Sequence, residues 1–133
     1  MAAHITEVAG SSDVFRGGVV AYANDVKESE LGVTHELLER HGAVSPEVAQ
    51  AMARGVRERL GTDVGVAVTG IAGPDGGTEE KPVGLVLLHA AGPHGEKARR
   101  IELPGDREMV RGRATAAALH LVRKLLESGH TKG

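Results

Sequence analysis

Apolar residues recur along this chain with two spacings. Between Ser45 and Gly61 they return every fourth position, at Val48, Met52, Val56 and Leu60. That period predicts an amphipathic helix, with Ser45 as its N-cap, Pro46 in its first turn and Gly61 as its stop. A second stripe, Val110, Ala114, Ala117, Leu121 and Leu125, predicts a long helix from Asp106 to about Ser128. Elsewhere the apolar residues run together. Val64 to Val68 and Val83 to Ala90 read as strands covered on both faces, and residues 98–104 as a shorter, more polar strand.

The front of the chain is built from shorter pieces. Ala2, Ile5 and Val8 share a helical face that ends at Gly10. The run Val19, Val20, Ala21, Tyr22, bounded by Gly17-Gly18 and Asn24-Asp25, predicts a buried strand. Asp25 and Thr34 are placed to cap two brief helices, the first of which stops at Gly32. Strands interleaved with helices predict an α/β chain of three layers, an α/β/α sandwich. No repeat or linker divides residues 1–133, so the expectation is a single domain.

Composition narrows the function. Sixteen basic and eighteen acidic residues leave a net charge of −2, without the basic excess that nucleic acid attracts. With one Tyr, one Phe and no Trp there is no set of aromatic platforms for stacking bases. The absence of cysteine removes disulfides, thiolate metal sites and a cysteine nucleophile. The seven histidines form neither an H-x-H nor an H-E-x-x-H pair, so no metal site is expected. The N-terminus lacks the basic and apolar regions of a signal peptide, and no apolar stretch is long enough to cross a membrane. These features predict a cytoplasmic protein that binds neither membrane nor nucleic acid.

Two groups of residues carry candidate chemistry. Past Thr69 the chain turns bare, with Gly70, Ala72, Gly73, Gly76 and Gly77 around Pro74 and Asp75, then Thr78. Glycines leaving the end of a strand can bring several backbone N–H groups close to one anion, and the Thr69 and Thr78 hydroxyls add donors. A phosphorylated small molecule suits such a nest, although a tight, inert connection between two strands would look the same. Neither the dinucleotide G-x-G-x-x-G pattern nor the P-loop is matched, since Lys81 falls too late. Arg107 and Arg111 would reach a phosphate there if the last helix starts beside the loop.

The second group is Tyr22 and Lys27, with Arg16 and Asn24 nearby in sequence. A lysine of lowered pKa can take the proton of a serine hydroxyl, and a tyrosine can relay one. The i, i+5 spacing does not place the two on one helix face. By spacing alone Lys27 is equally a solvated helix lysine and Tyr22 a strand-end tyrosine.

The stretches GSSDVFRGGVVAYANDVKESELGV, HGAVSPEVAQAMARGVRERLG and VAVTGIAGPDGGTEEKPVGLV together resemble the CinA C-terminal domain family of nicotinamide mononucleotide amidases. The likeness runs from about residue 2 to about residue 127, and T-G-I-A-G-P-x-G-G-T-x-x-K-P-V-G is its most specific part. It implies a mixed β-sheet within the three-layer sandwich. It also implies hydrolysis of the nicotinamide carboxamide of nicotinamide mononucleotide, giving nicotinate mononucleotide and ammonia in pyridine-nucleotide recycling. By the same resemblance Tyr22 and Lys27 are catalytic. Arg16, Asn24, Thr69, Gly70, Ala72, Gly73, Gly76, Gly77 and Thr78 bind the substrate, no cofactor takes part, and a homo-oligomer is left open. The family's nucleophile lies on a Ser-Cys-Thr-Gly-Gly type turn after a first strand, and neither has a counterpart in this sequence. Ser11 and Ser12 match a different, small-residue turn at the far end of the helix that follows, so the resemblance makes neither of them the nucleophile.

Overall fold

The computed structural model describes residues 1–131. In chain order it contains α1 (Ala2–Thr6), a 3₁₀ turn (Ser11–Asp13), α2 (Asn24–Leu31), α3 (His35–His41), α4 (Pro46–Leu60), β1 (Gly65–Gly70), β2 (Leu85–Gly92), β3 (Gly95–Glu102) and α5 (Arg107–Thr131). The caps explain most of the boundaries. Ser45 Oγ accepts the Val48 N–H at 3.2 Å and Thr34 Oγ1 the Leu37 N–H at 3.1 Å, each satisfying a donor that the first helical turn leaves free. Asp106 does the same for α5 through Met109 N, at 2.9 Å. At α2 the expectation fails. The N-cap is Ala23, with no side-chain bond, and Asp25 lies inside the first turn.

β2 is the middle strand, antiparallel to β1 on one side and to β3 on the other. Its side chains alternate between two helical layers, as the pleat requires. Val86, Leu88 and Ala90 meet Val110, Ala114, Ala118, Leu121 and Leu125 of α5. On the opposite face Leu85 and Leu87 meet Ala49, and Ala91 joins Ala67 with Val48, Met52 and Ala53 of α4. The three-layer α/β/α sandwich is therefore present. Both helical stripes fall where the four-residue spacing put them, save that Ala118, fully buried, outranks the half-buried Ala117.

The sheet departs from expectation in one respect. The three strands among the described residues are all antiparallel, where a mixed sheet was expected. The expected strand at Val19–Tyr22 does not form, and this segment makes no ladder hydrogen bond. A β-prone run becomes a strand only when another edge takes up its N–H and C=O groups, and here none does. Nor is the segment buried throughout, contrary to expectation, because only alternate residues turn inward. Val19 and Ala21 pack into the α4-side core, while Val20 and Tyr22 are 90% and 84% exposed.

Candidate functional site

Lys27 sits in the first half of α2 and is buried, with 5% of its surface exposed. Its side chain turns back onto the extended segment before the helix. Nζ donates to the carbonyl oxygens of Ala21 at 2.8 Å and Tyr22 at 3.1 Å. Among the described residues no carboxylate lies within ion-pair distance of it. Burial thus acts uncompensated and lowers the lysine pKa below its usual 10.5. An amine in this setting gives up its proton more readily, which a general base for a hydroxyl requires. Only the backbone of Tyr22 takes part in this arrangement. Its ring is exposed and its phenol does not meet Lys27. Arg16 and Asn24 are exposed as well, and no side-chain bond joins either of them to the glycine loop.

The glycine loop connects β1 to β2 across residues 71–84. Its base is held by backbone bonds from Ile71 N to Leu85 O and from Gly84 N to Ile71 O, at 2.9 and 2.7 Å. Gly73 shows why the loop is bare. Its φ is +85°, and a Cβ there would stand 2.5 Å from a Val83 methyl, so both backbone and space demand glycine. Gly70 is the last residue of β1, packed against β2, and Ala72 packs on the α5-side core. Gly76, Gly77 and Thr78 are exposed at the tip.

The two threonines differ in what their hydroxyls leave free. Thr69 is buried and donates its hydroxyl to Ala43 O at 2.8 Å. Thr78 Oγ1 accepts from Lys81 N at 3.0 Å, closing a turn with Thr78 N bound to Lys81 O at 2.8 Å. The donors left to a ligand are therefore the backbone N–H groups of the loop and the Thr78 O–H, which accepts from Lys81 N and keeps its own proton free, but not the hydroxyl of Thr69.

Two cations that spacing could not place complete the loop. Lys81 Nζ donates to His41 O at 2.6 Å, and Arg107 Nη1 to Gly73 O at 3.1 Å. The α5 N-terminus thus does face the loop, through Arg107; Arg111, one turn on, is exposed and has no such bond. The carbonyls that receive Lys81 and Thr69 had no sequence signal at all, because every residue carries one. Among the described residues no group of His, Asp or Glu is arranged to hold a metal ion, and no helix is long and apolar enough to cross a membrane.

Comparison with known proteins agrees with the sequence pattern. The CinA C-terminal domain model matches residues 1–126. A CinA-like protein of Mycolicibacterium paratuberculosis is 54% identical over 131 residues, covering 95% of this chain and 30% of its own length. One from Parasynechococcus marenigrum is 57% identical over 125 residues, covering 94% of this chain and 29% of its own length. The chain thus spans about 30% of the curated relatives it matches. Among solved structures, a CinA-superfamily competence-damaged protein from Escherichia coli superposes with a TM-score of 0.88 at 31% identity, over 93% of this chain and 72% of that one. A competence/damage inducible protein from Agrobacterium tumefaciens gives 0.85 at 40% identity, over 95% and 76%. With the family model spanning nearly its whole length and the same fold in these relatives, the chain belongs to the CinA C-terminal domain family.

Proposed function

We propose that this chain carries the base and the nucleotide-binding loop of an amidohydrolase acting on nicotinamide mononucleotide. Lys27 supports this reading most, because a buried amine bonded only to two carbonyls is suited to accept a hydroxyl proton. A serine oxygen attacks the carboxamide carbon as its proton passes to the amine. The tetrahedral adduct then collapses, the C–N bond breaks and the nitrogen leaves as ammonia with that proton. Water cleaves the resulting ester to nicotinate mononucleotide and restores the serine. The hydroxyl belongs, by family resemblance, to a Ser-Cys-Thr-Gly-Gly turn that the 133 residues do not contain. The loop from Gly70 to Thr78 receives the phosphorylated end through its backbone N–H groups.

The test is ammonia release from nicotinamide mononucleotide by two forms of the protein, the 133-residue chain and one with such a turn ahead of residue 1. Each is compared with its Lys27→Met variant, which keeps the buried volume and removes the base. Release that falls by about 10²–10⁴ in the variant is expected. Release unchanged by the substitution would remove Lys27 from the chemistry. Ligand-induced thermal stabilisation without release from either form would instead favour a nucleotide-binding module without catalysis.

A further inference from the structure

The end of α3 and the turn that follows it present three consecutive carbonyls, two of which receive side chains from distant parts of the chain and the third a side chain from the turn itself. His41 O accepts from Lys81 Nζ at 2.6 Å, Gly42 O from Ser45 Oγ at 2.8 Å, and Ala43 O from Thr69 Oγ1 at 2.8 Å. The end of β1 and the outgoing leg of the glycine loop are thereby fastened to one short stretch of backbone. On the ingoing leg, Arg107 from the first turn of α5 holds Gly73 O at 3.1 Å.

Neither Lys81 nor Arg107 has a carboxylate within ion-pair distance among the described residues. The loop's own acids, Asp75, Glu79 and Glu80, are exposed and pair with neither of them. Both cations rest on backbone oxygens, where a donor fixes the position of the chain rather than balancing a charge. Lys81 binds the last residue of α3, the helix end at which a positive charge is favoured.

We infer that Lys81 and Arg107 are positioning residues for the glycine loop, fastening its two legs to α3 and α5 so that its N–H groups stay in the shape that receives the ligand. The ligand part of this inference rests on the reading of the loop as the nucleotide site. Without the two bonds the loop would have to be ordered at the moment of binding, and affinity would fall by that cost.

The experiment uses the whole chain with Lys81→Met, Arg107→Gln and the conservative pair Lys81→Arg and Arg107→Lys. Amide hydrogen exchange over residues 71–80 is followed without ligand, and the Kd of nicotinamide mononucleotide is measured by calorimetry. Lys81 lies in the loop and Arg107 is the exposed first residue of α5, neither in the apolar core, so the melting temperature reports whether each variant is folded. In Lys81→Met and Arg107→Gln, loop exchange is expected to quicken and Kd to rise about tenfold, with the conservative variants restoring both in part. Unchanged exchange would overturn the inference. Weaker binding at unchanged exchange would overturn it too, since the cations would then be touching the ligand directly. Faster exchange at unchanged Kd would mean that the bonds do not prepare the loop for binding. If the unsubstituted chain does not bind nicotinamide mononucleotide, it is the proposed function that fails, while loop exchange still decides whether the two bonds fasten the loop.

Discussion

Lys27 shows how a single residue carries two opposing requirements. Its alkyl stem and amine are buried, which favours the neutral form, yet two carbonyls accept from it and hold it in place. Unfolded, the amine titrates near 10.5; folded, it titrates lower. Between those two values the unfolded chain binds more protons, so stability rises with pH through that window and is flat below it. The parent should accordingly gain stability relative to Lys27→Met as the pH is raised toward 10.5, as read from urea midpoints. A difference that stays constant over that range would contradict a depressed lysine. Glu96 has the opposite sign. Partial burial works against its charge, but hydrogen bonds from His89 at 2.6 Å and Arg54 at 3.0 Å outweigh it and hold the carboxyl below its usual 4.5. Its contribution is complete above pH 4.5 and is lost as the pH falls through the lower, folded value. Glu96→Gln should cost about 1 kcal/mol at pH 7, the size expected of a half-exposed charged network. Repeating the denaturation toward pH 3 should bring parent and variant together.

At the scale of elements, the contacts that join one helix to the next depend on positions with no apolar signature. Gly55 lies in the middle of α4, where its lack of a side chain lets the Leu31 carbonyl at the end of α2 come against the helix backbone. Nothing in the four-residue stripe of α4 marks it, since a helical glycine reads simply as a weak helix former. Gly55→Ala would place a methyl group on that carbonyl, with 2.8 Å to Leu31 C, and α2 would have to move. A loss of about 1–3 kcal/mol is expected, against the small gain that alanine gives in an open helix. Circular dichroism melting would separate the two, because an unchanged or higher melting temperature would mean that α2 yields freely. The strand expected at Val19–Tyr22 belongs to the same scale. The segment is extended as its composition suggested, but both the pairing and the full burial expected of it fail, since Val20 and Tyr22 are exposed.

For the whole molecule, β2 is the element on which both helical layers depend. Leu88 is 1% exposed and faces α5, while Leu87, its neighbour, faces the α4 side at 3%. Leu88→Ala should destabilise the chain by about 2–5 kcal/mol, a large part of the roughly 5–15 kcal/mol that holds a domain of ordinary size together. Because the strand is shared, amides of α4 and α5 should lose protection from hydrogen exchange together. Loss confined to α5 would show that the two layers unfold separately.

The four-residue spacing fixed the two long helices and their buried faces, and the continuous apolar runs fixed β1 and β2, because burying a stripe or a face is decided by residues a few positions apart. The same local rules located the caps at Ser45 and Thr34 and the bare loop after Thr69. Where hydrogen-bonding groups find partners, by contrast, is set by the fold and not by neighbours in sequence. The hydroxyl of Thr69 goes to Ala43, the amine of Lys81 to His41, the guanidinium of Arg107 to Gly73, and residues 19–22 to no strand at all. Each of those outcomes depends on a backbone carbonyl or a strand edge brought near by the fold. Backbone groups are the same at every residue, so their positions leave no mark in a sequence.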